Sequence, residues 1–117
     1  MRVIQTCPIL RIFDEDRAKD FYLTYLGFSV EFEHRFEPDL PLYLSVQLGG
    51  LTLHLSGHHG DASPGATVFV RVSGLESFHA QLQSKSYPSL RPGLIRVDWG
   101  VEMEITDPFM NRIRFCE

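Results

Sequence analysis

Trp99-Gly-Val-Glu-Met-Glu-Ile-Thr-Asp-Pro-Phe-Met-Asn-Arg-Ile-Arg-Phe-Cys-Glu117 is the stretch whose reading decides the fold. Apolar and polar residues alternate from Val101 to Thr106 and again from Arg112 to Cys116, the period of two that a strand half-buried on one face requires. Between them, Asp107-Pro108-Phe109-Met110-Asn111 carries turn chemistry, with Pro ending the ladder. The stretch is therefore a hairpin with two unlike faces. Val101, Met103, Ile105, Ile113 and Phe115 form a packing face, while Glu102, Glu104, Thr106, Arg112, Arg114 and Cys116 form a charged face able to line a site.

Upstream, Val3 to Ile12 alternates as a first strand, with Pro8, Leu10 and Ile12 on one face and Gln5, Cys7, Ile9 and Arg11 on the other. Asp14 is placed to cap a helix, and Asp14-Glu15-Asp16 complements its dipole. Ala18, Phe21, Tyr22, Tyr25 and Leu26 form its apolar stripe, and Gly27 ends it. Phe28 to Glu33 is a strand with Phe28, Val30 and Phe32 on one face, and residues 37–41 are a loop. Leu42 to Leu48 and Leu51 to Gly57 are strands joined by Gly49-Gly50, which puts Tyr43, Ser45 and Gln47 beside Thr52, His54 and Ser56. After the polar loop His58 to Gly65 comes a strand from Thr67 to Val72 and a helix whose stripe is Leu75, Phe78 and Leu82. Ser73 and Glu76 have capping-box spacing. Beyond this helix, Pro88, Pro92 and Gly93 interrupt regular structure, and a short strand lies near Leu94 to Val97.

The order is strand, helix, three strands, and then the same again. Cys7 to Ile12 overlays Thr67 to Val72, and His54 overlays Arg114, so the chain is a repeat. The expected fold is α+β: two βαβββ modules (residues 1–57 and 66–117, linker 58–65) forming a cupped mixed sheet with helices outside. All 117 residues form one domain.

With a net charge of -4, the chain lacks the clustered cations that bind phosphate backbones, so no nucleic-acid partner is expected. No apolar run reaches bilayer length and Met1-Arg-Val-Ile-Gln lacks signal-peptide layout, so no membrane partner and a cytoplasmic location are expected. Two cysteines, Cys7 and Cys116, are too few for a disulfide framework.

Ile9-Leu-Arg-Ile-Phe-Asp-Glu-Asp-Arg-Ala-Lys-Asp-Phe-Tyr22, Leu26-Gly27-Phe28 and Thr106-Asp107-Pro108 together resemble the vicinal oxygen chelate superfamily, which includes glyoxalase I, extradiol dioxygenases and the fosfomycin- and bleomycin-resistance proteins. The resemblance implies a divalent-metal site at Cys7, His54, Thr67 and Arg114. Arg114 has no lone pair to give and Thr67 is a poor ligand, so neither a metal nor any other cofactor is expected. Trp99-Gly100, Phe28 to Phe32 and Phe69 to Val72 followed by Gly74-Leu75 are similar to the metal-free bleomycin-resistance branch. That likeness implies a homodimer that sequesters a small molecule, such as a bleomycin-type glycopeptide, without modifying it.

The candidate ligand-binding residues are Trp99, Phe32, Glu102, Glu104, His54, Tyr43, Phe69 and Arg114, with no catalytic residue among them. Several read two ways. Trp99 is either a packing residue or a stacking platform; Glu104 either attracts a cation or compensates Arg114; His54 either lines the trough through a hydrogen bond or acts as donor or base. Cys7 lacks a base partner and reads as a small buried hydrophobe. His58-His59 reads as solvated loop, and Arg11 and Arg71 as matching structural features. The alternatives are a metal-dependent lyase, isomerase or dioxygenase using His54, Cys7 or Glu104, and an interaction module whose trough is filled by Tyr43, Phe69 and Arg114.

Overall fold

The computed structural model describes residues 1–87 and 90–117; the break expected at Pro88 lies outside the described residues. Its elements are β1 (Ile9–Arg11), α1 (Glu15–Lys19), a π-helical continuation (Asp20–Tyr25), β2 (Ser29–His34), β3 (Tyr43–Leu48), β4 (Leu51–Ser56), β5 (Thr67–Arg71), α2 (Leu75–Gln83), β6 (Ile95–Val97), β7 (Gly100–Thr106) and β8 (Arg112–Cys116). Two four-stranded mixed sheets result, ordered β1-β4-β3-β2 and β5-β8-β7-β6. In each, the first strand runs parallel to the fourth and the rest pair antiparallel.

The repeat holds at the level of register. Ile9 lies opposite His54 in the first sheet and Phe69 opposite Arg114 in the second, so His54 and Arg114 are equivalent. The same pairing makes Ser45 the counterpart of Glu104, and Tyr43 that of Glu102. The two connections before the fourth strands differ. Gly49 and Gly50, with φ of 55° and 89°, make the short turn that pairs Leu48 with Leu51, whereas Asp107 to Asn111 make a longer one.

One apolar core serves both modules: Leu44, Val46, Leu53 and Leu55 from the first, Met103, Ile105, Ile113 and Phe115 from the second, and the whole stripe Ala18, Phe21, Tyr22, Tyr25 and Leu26. Two buried polar side chains tie the halves together. Asp107 accepts at 2.7–2.9 Å from the Tyr22 hydroxyl, the backbone amides of Phe109 and Asn111, and the Asn111 side-chain amide. Asn111 in turn donates to the Arg11 carbonyl at 2.7 Å. The turn is thus closed by its own carboxylate and bonded to the first module's helix and strand, which satisfies polar groups that would otherwise be costly to bury.

Five local expectations change. The first strand is confined to Ile9–Arg11; Val3 and Ile4 are exposed and take no place in the ladder. The first helix changes after Lys19 from α to π hydrogen bonding, the amide of Leu26 reaching back to the Phe21 carbonyl. No capping box forms at Ser73: the helix is entered through Gly74, at φ 78°, and the Glu117 carboxylate accepts from the amides of Gly74 (3.1 Å) and Leu75 (2.9 Å). His58 is not simply solvated but half-buried, its ring 5.4 Å from that of Phe36. Finally, a bulge between Val30 and Phe32 sets Val30 opposite buried Val46 but Phe32 opposite Ser45, so Phe32 leaves the face it was expected to share with Val30.

Candidate functional site

The polar faces of the two sheets carry two separate clusters. On the first, Tyr43, Ser45 and His54 come together because β3 and β4 pair Ser45 with His54 and Tyr43 with Ser56. The Tyr43 hydroxyl and His54 Nδ1 are 2.7 Å apart. Partial burial raises the Tyr43 pKa above that of a free tyrosine, with the charges of Asp61 and Cys7 adding to the rise. Phe32, delivered by the bulge, sets its ring at 71° to His54 with centroids 5.7 Å apart and stays 47% exposed. Glu31 takes the buried Ser45 hydroxyl at 2.8 Å, a partnership that sequence periodicity does not signal because it depends on the bulge.

On the second sheet, Trp99 occupies the turn between β6 and β7 and is 59% exposed. Its indole N–H donates to Glu102 at 2.7 Å, and Arg71 donates to its carbonyl at 3.1 Å. Arg114 lies 2.8 Å from Glu104 and 3.9 Å from Glu102. Its pKa is raised above the usual arginine value by the hydrogen bond and charge of Glu104, partly opposed by desolvation, with the charge of Glu102 adding a smaller rise. Phe69, opposite Arg114, is half exposed beneath the Arg71 guanidinium, which lies 5.5 Å from the ring centroid. In this cluster Glu104 therefore compensates Arg114, and Trp99 is held by its edge with much of its surface open.

No hydrogen bond or ion pair among the described residues joins the two clusters. Two clefts lie elsewhere. One of about 660 Å³ runs between the Leu48-to-Leu51 turn, β5 and α2, and one of about 230 Å³ lies beside Arg11 and Phe13. Neither is lined by any of the eight candidate residues.

The superfamily's metal positions do not fit a divalent ion here. His54 supplies a good donor, but Cys7 precedes β1, Thr67 opens β5 opposite Arg112, and Arg114 brings a paired cation. Among the described residues no three of His, Cys, Asp or Glu are arranged to hold a metal ion. No described helix is long and apolar enough to cross a membrane.

The sequence pattern of the family described as "Glyoxalase superfamily protein" matches residues 1–117. In structure the chain is similar to a glyoxalase/bleomycin resistance protein from Streptomyces sp. CB03234, with 22% identity over 95% of this chain and 97% of that one and a TM-score of 0.75. A second similar structure is TnmS3, an antibiotic binding protein from the same organism, with 22% identity over 99% and 98% of the two chains and a TM-score of 0.73. A third is a bleomycin-binding protein complexed with bleomycin, with 23% identity over 98% of each chain and a TM-score of 0.74. No curated protein matches the chain by sequence.

Proposed function

This chain belongs to the glyoxalase superfamily, and from that premise we propose that it is a metal-independent binding protein that sequesters a cationic, aromatic, drug-like molecule. The observation that carries the reading is the Trp99–Glu102 pair. An exposed indole fixed through its N–H by a carboxylate is a stacking surface with its orientation already set, and acidic groups beside it favour a cation. The antibiotic-binding and bleomycin-binding proteins of like fold support the ligand class. Metal independence is supported by the unsuitable donors at Thr67 and Arg114. Sequestration needs no catalytic group, because it acts on the free ligand concentration by mass action.

We place the complete site at a homodimer interface. Each protomer offers the Tyr43–His54–Phe32 cluster and the Trp99–Glu102–Glu104–Arg114 cluster on separate sheets, and every residue of β2 is exposed. A second copy would let the first cluster of one protomer face the second cluster of the other. The location this function requires is cytoplasmic, where a drug would meet its target.

Thermal unfolding of the metal-stripped protein with and without a bleomycin-type glycopeptide tests the reading, with sedimentation reporting the assembly. Binding at a hundredfold excess over Kd stabilises by about 2.7 kcal/mol. The expected result is a dimer stabilised by the drug in wild type but not in Trp99→Ala. Stabilisation by zinc, nickel, manganese or ferrous ions, with none by drug, would instead establish the metalloenzyme alternative.

A further inference from the structure

We infer that the Tyr43–His54 pair is a fixed hydrogen-bond donor that selects ligands whose aromatic portion carries a carbonyl oxygen. This rests on the sequestration reading and adds a chemical requirement to it. The Tyr43 hydroxyl has one hydrogen, and its sole partner among the described residues is His54 Nδ1, at 2.7 Å. If Nδ1 carried the imidazole proton and donated, the tyrosine hydrogen would be left without an acceptor inside the protein. Donation from Tyr43 to Nδ1 satisfies both groups and places the proton of the neutral ring on Nε2. That nitrogen has no hydrogen bond among the described residues and is not among the buried unpartnered atoms. It is therefore an unused donor open to a ligand.

Its surroundings define what it would receive. The Phe32 ring stands edge-to-face against the imidazole and is 47% exposed, so a flat group lying on Phe32 brings its edge to the donor. The carboxylates near this wall are engaged elsewhere: Glu31 accepts from Ser45 at 2.8 Å and Asp61 accepts from Ser56 at 2.6 Å. A carbonyl oxygen suits this wall better than an ammonium group does, and a cationic portion would fall to the other module, where Glu102 and Glu104 already hold Trp99 and Arg114.

The equivalent position in the second module argues the same division of labour. There Glu102 is the counterpart of Tyr43 and Arg114 the counterpart of His54, and those two lie 3.9 Å apart. One module thus presents a neutral donor and the other a compensated charge cluster.

Two measurements test the inference. Long-range proton–nitrogen NMR of uniformly nitrogen-15-labelled protein reports the tautomer: His54 should be protonated at Nε2, and Tyr43→Phe should shift it toward a mixture. Titration with fluorenone and fluorene, flat tricyclic probes that differ by one carbonyl, should show a preference for fluorenone of about tenfold in wild type, the worth of one well-made hydrogen bond. His54→Phe should abolish the preference while both probes still bind, and Tyr43→Phe should reduce it. An Nδ1–H tautomer in wild type, or equal binding of two probes that both need Trp99, overturns the donor assignment and leaves sequestration intact. If neither probe binds and the glycopeptide is also inert, the sequestration reading is removed, and the donor then stands or falls on the tautomer.

Discussion

Replacing Tyr22 with Phe removes one oxygen from the node that joins the modules. The hydroxyl donates to Asp107 at 2.7 Å, and the tyrosine is fully buried. Three donors to the carboxylate remain, so the change leaves no orphaned charge, and the ring still fills its place between Phe21 and Phe28. The cost is that of a single bond to a charged acceptor, about 1.5–3 kcal/mol. With a urea dependence of about 2 kcal/mol per molar, the unfolding midpoint should fall by roughly 1 M with unchanged slope.

The alkaline limb gives an independent readout. Burial, then the charge of Asp107 and its hydrogen bond, raise the Tyr22 pKa well above 10.0. An unfolded tyrosine ionises near pH 10, roughly its unperturbed value, while the folded one keeps its proton. The stabilising contribution is therefore complete below that pH and is lost as the pH rises above it. Tyr22→Phe should flatten this alkaline loss, leaving the smaller parts due to Tyr25, Tyr43 and Tyr87, whose pKa values are also raised, in each case first by burial. A destabilisation under about 0.5 kcal/mol, against the range expected for a charged acceptor, or an unaltered alkaline limb, would refute the account of the node.

Helix capping by Glu117 predicts that Glu117→Ala lowers stability by about 0.5–2 kcal/mol, whereas Ser73→Ala leaves it within experimental error; chemical denaturation of both distinguishes them. A Cβ at Gly100, where φ is 148°, would collide with the Glu117 carbonyl oxygen, so Gly100→Ala should cost about 1–3 kcal/mol and increase amide exchange at Gly74 and Leu75. Deleting Glu31 should remove the bulge yet keep Phe32 opposite Ser45, because Val30 and Phe32 then become neighbours on a regular strand; Kd for aromatic probes should hold within about twofold, while loss of the Ser45 acceptor lowers stability by about 1–3 kcal/mol in chemical denaturation.

Periodicity is what the sequence conveys best. The Gly49-Gly50 turn sets the register of β3 on β4, and alternation across the last hairpin pairs Glu104 with Arg114, so the membership of both clusters is largely legible from residue order alone. Features set by a single extra residue or by distant chain are conveyed poorly. The bulge breaks the parity on which face assignment rests, so alternation puts Phe32 on the wrong side of β2. The cap on α2 arrives from 42 residues away, whereas the spacing of Ser73 and Glu76 is a purely local signal. Val3 and Ile4 have strand-forming side chains but no place in a ladder of this chain, a circumstance that periodicity does not register. Tyr22 and Asp107 each fall within a recognisable motif; their bond, 85 residues apart in sequence, joins the two motifs into one feature.

That bond also gives the duplicated halves a direction. Modules of nearly equal shape could in principle dock like with like, and a chain of such contacts would have no natural end. The polar turn after β7 has no equivalent after β3, where Gly49-Gly50 offers neither a carboxylate nor an amide side chain. A first module docked on another first module would therefore leave Tyr22 buried with nothing to receive its proton, and a second module docked on another would bury Asp107 without that donor. The penalty falls on wrong pairings and spares the right one, which is how a self-similar chain excludes its own decoys.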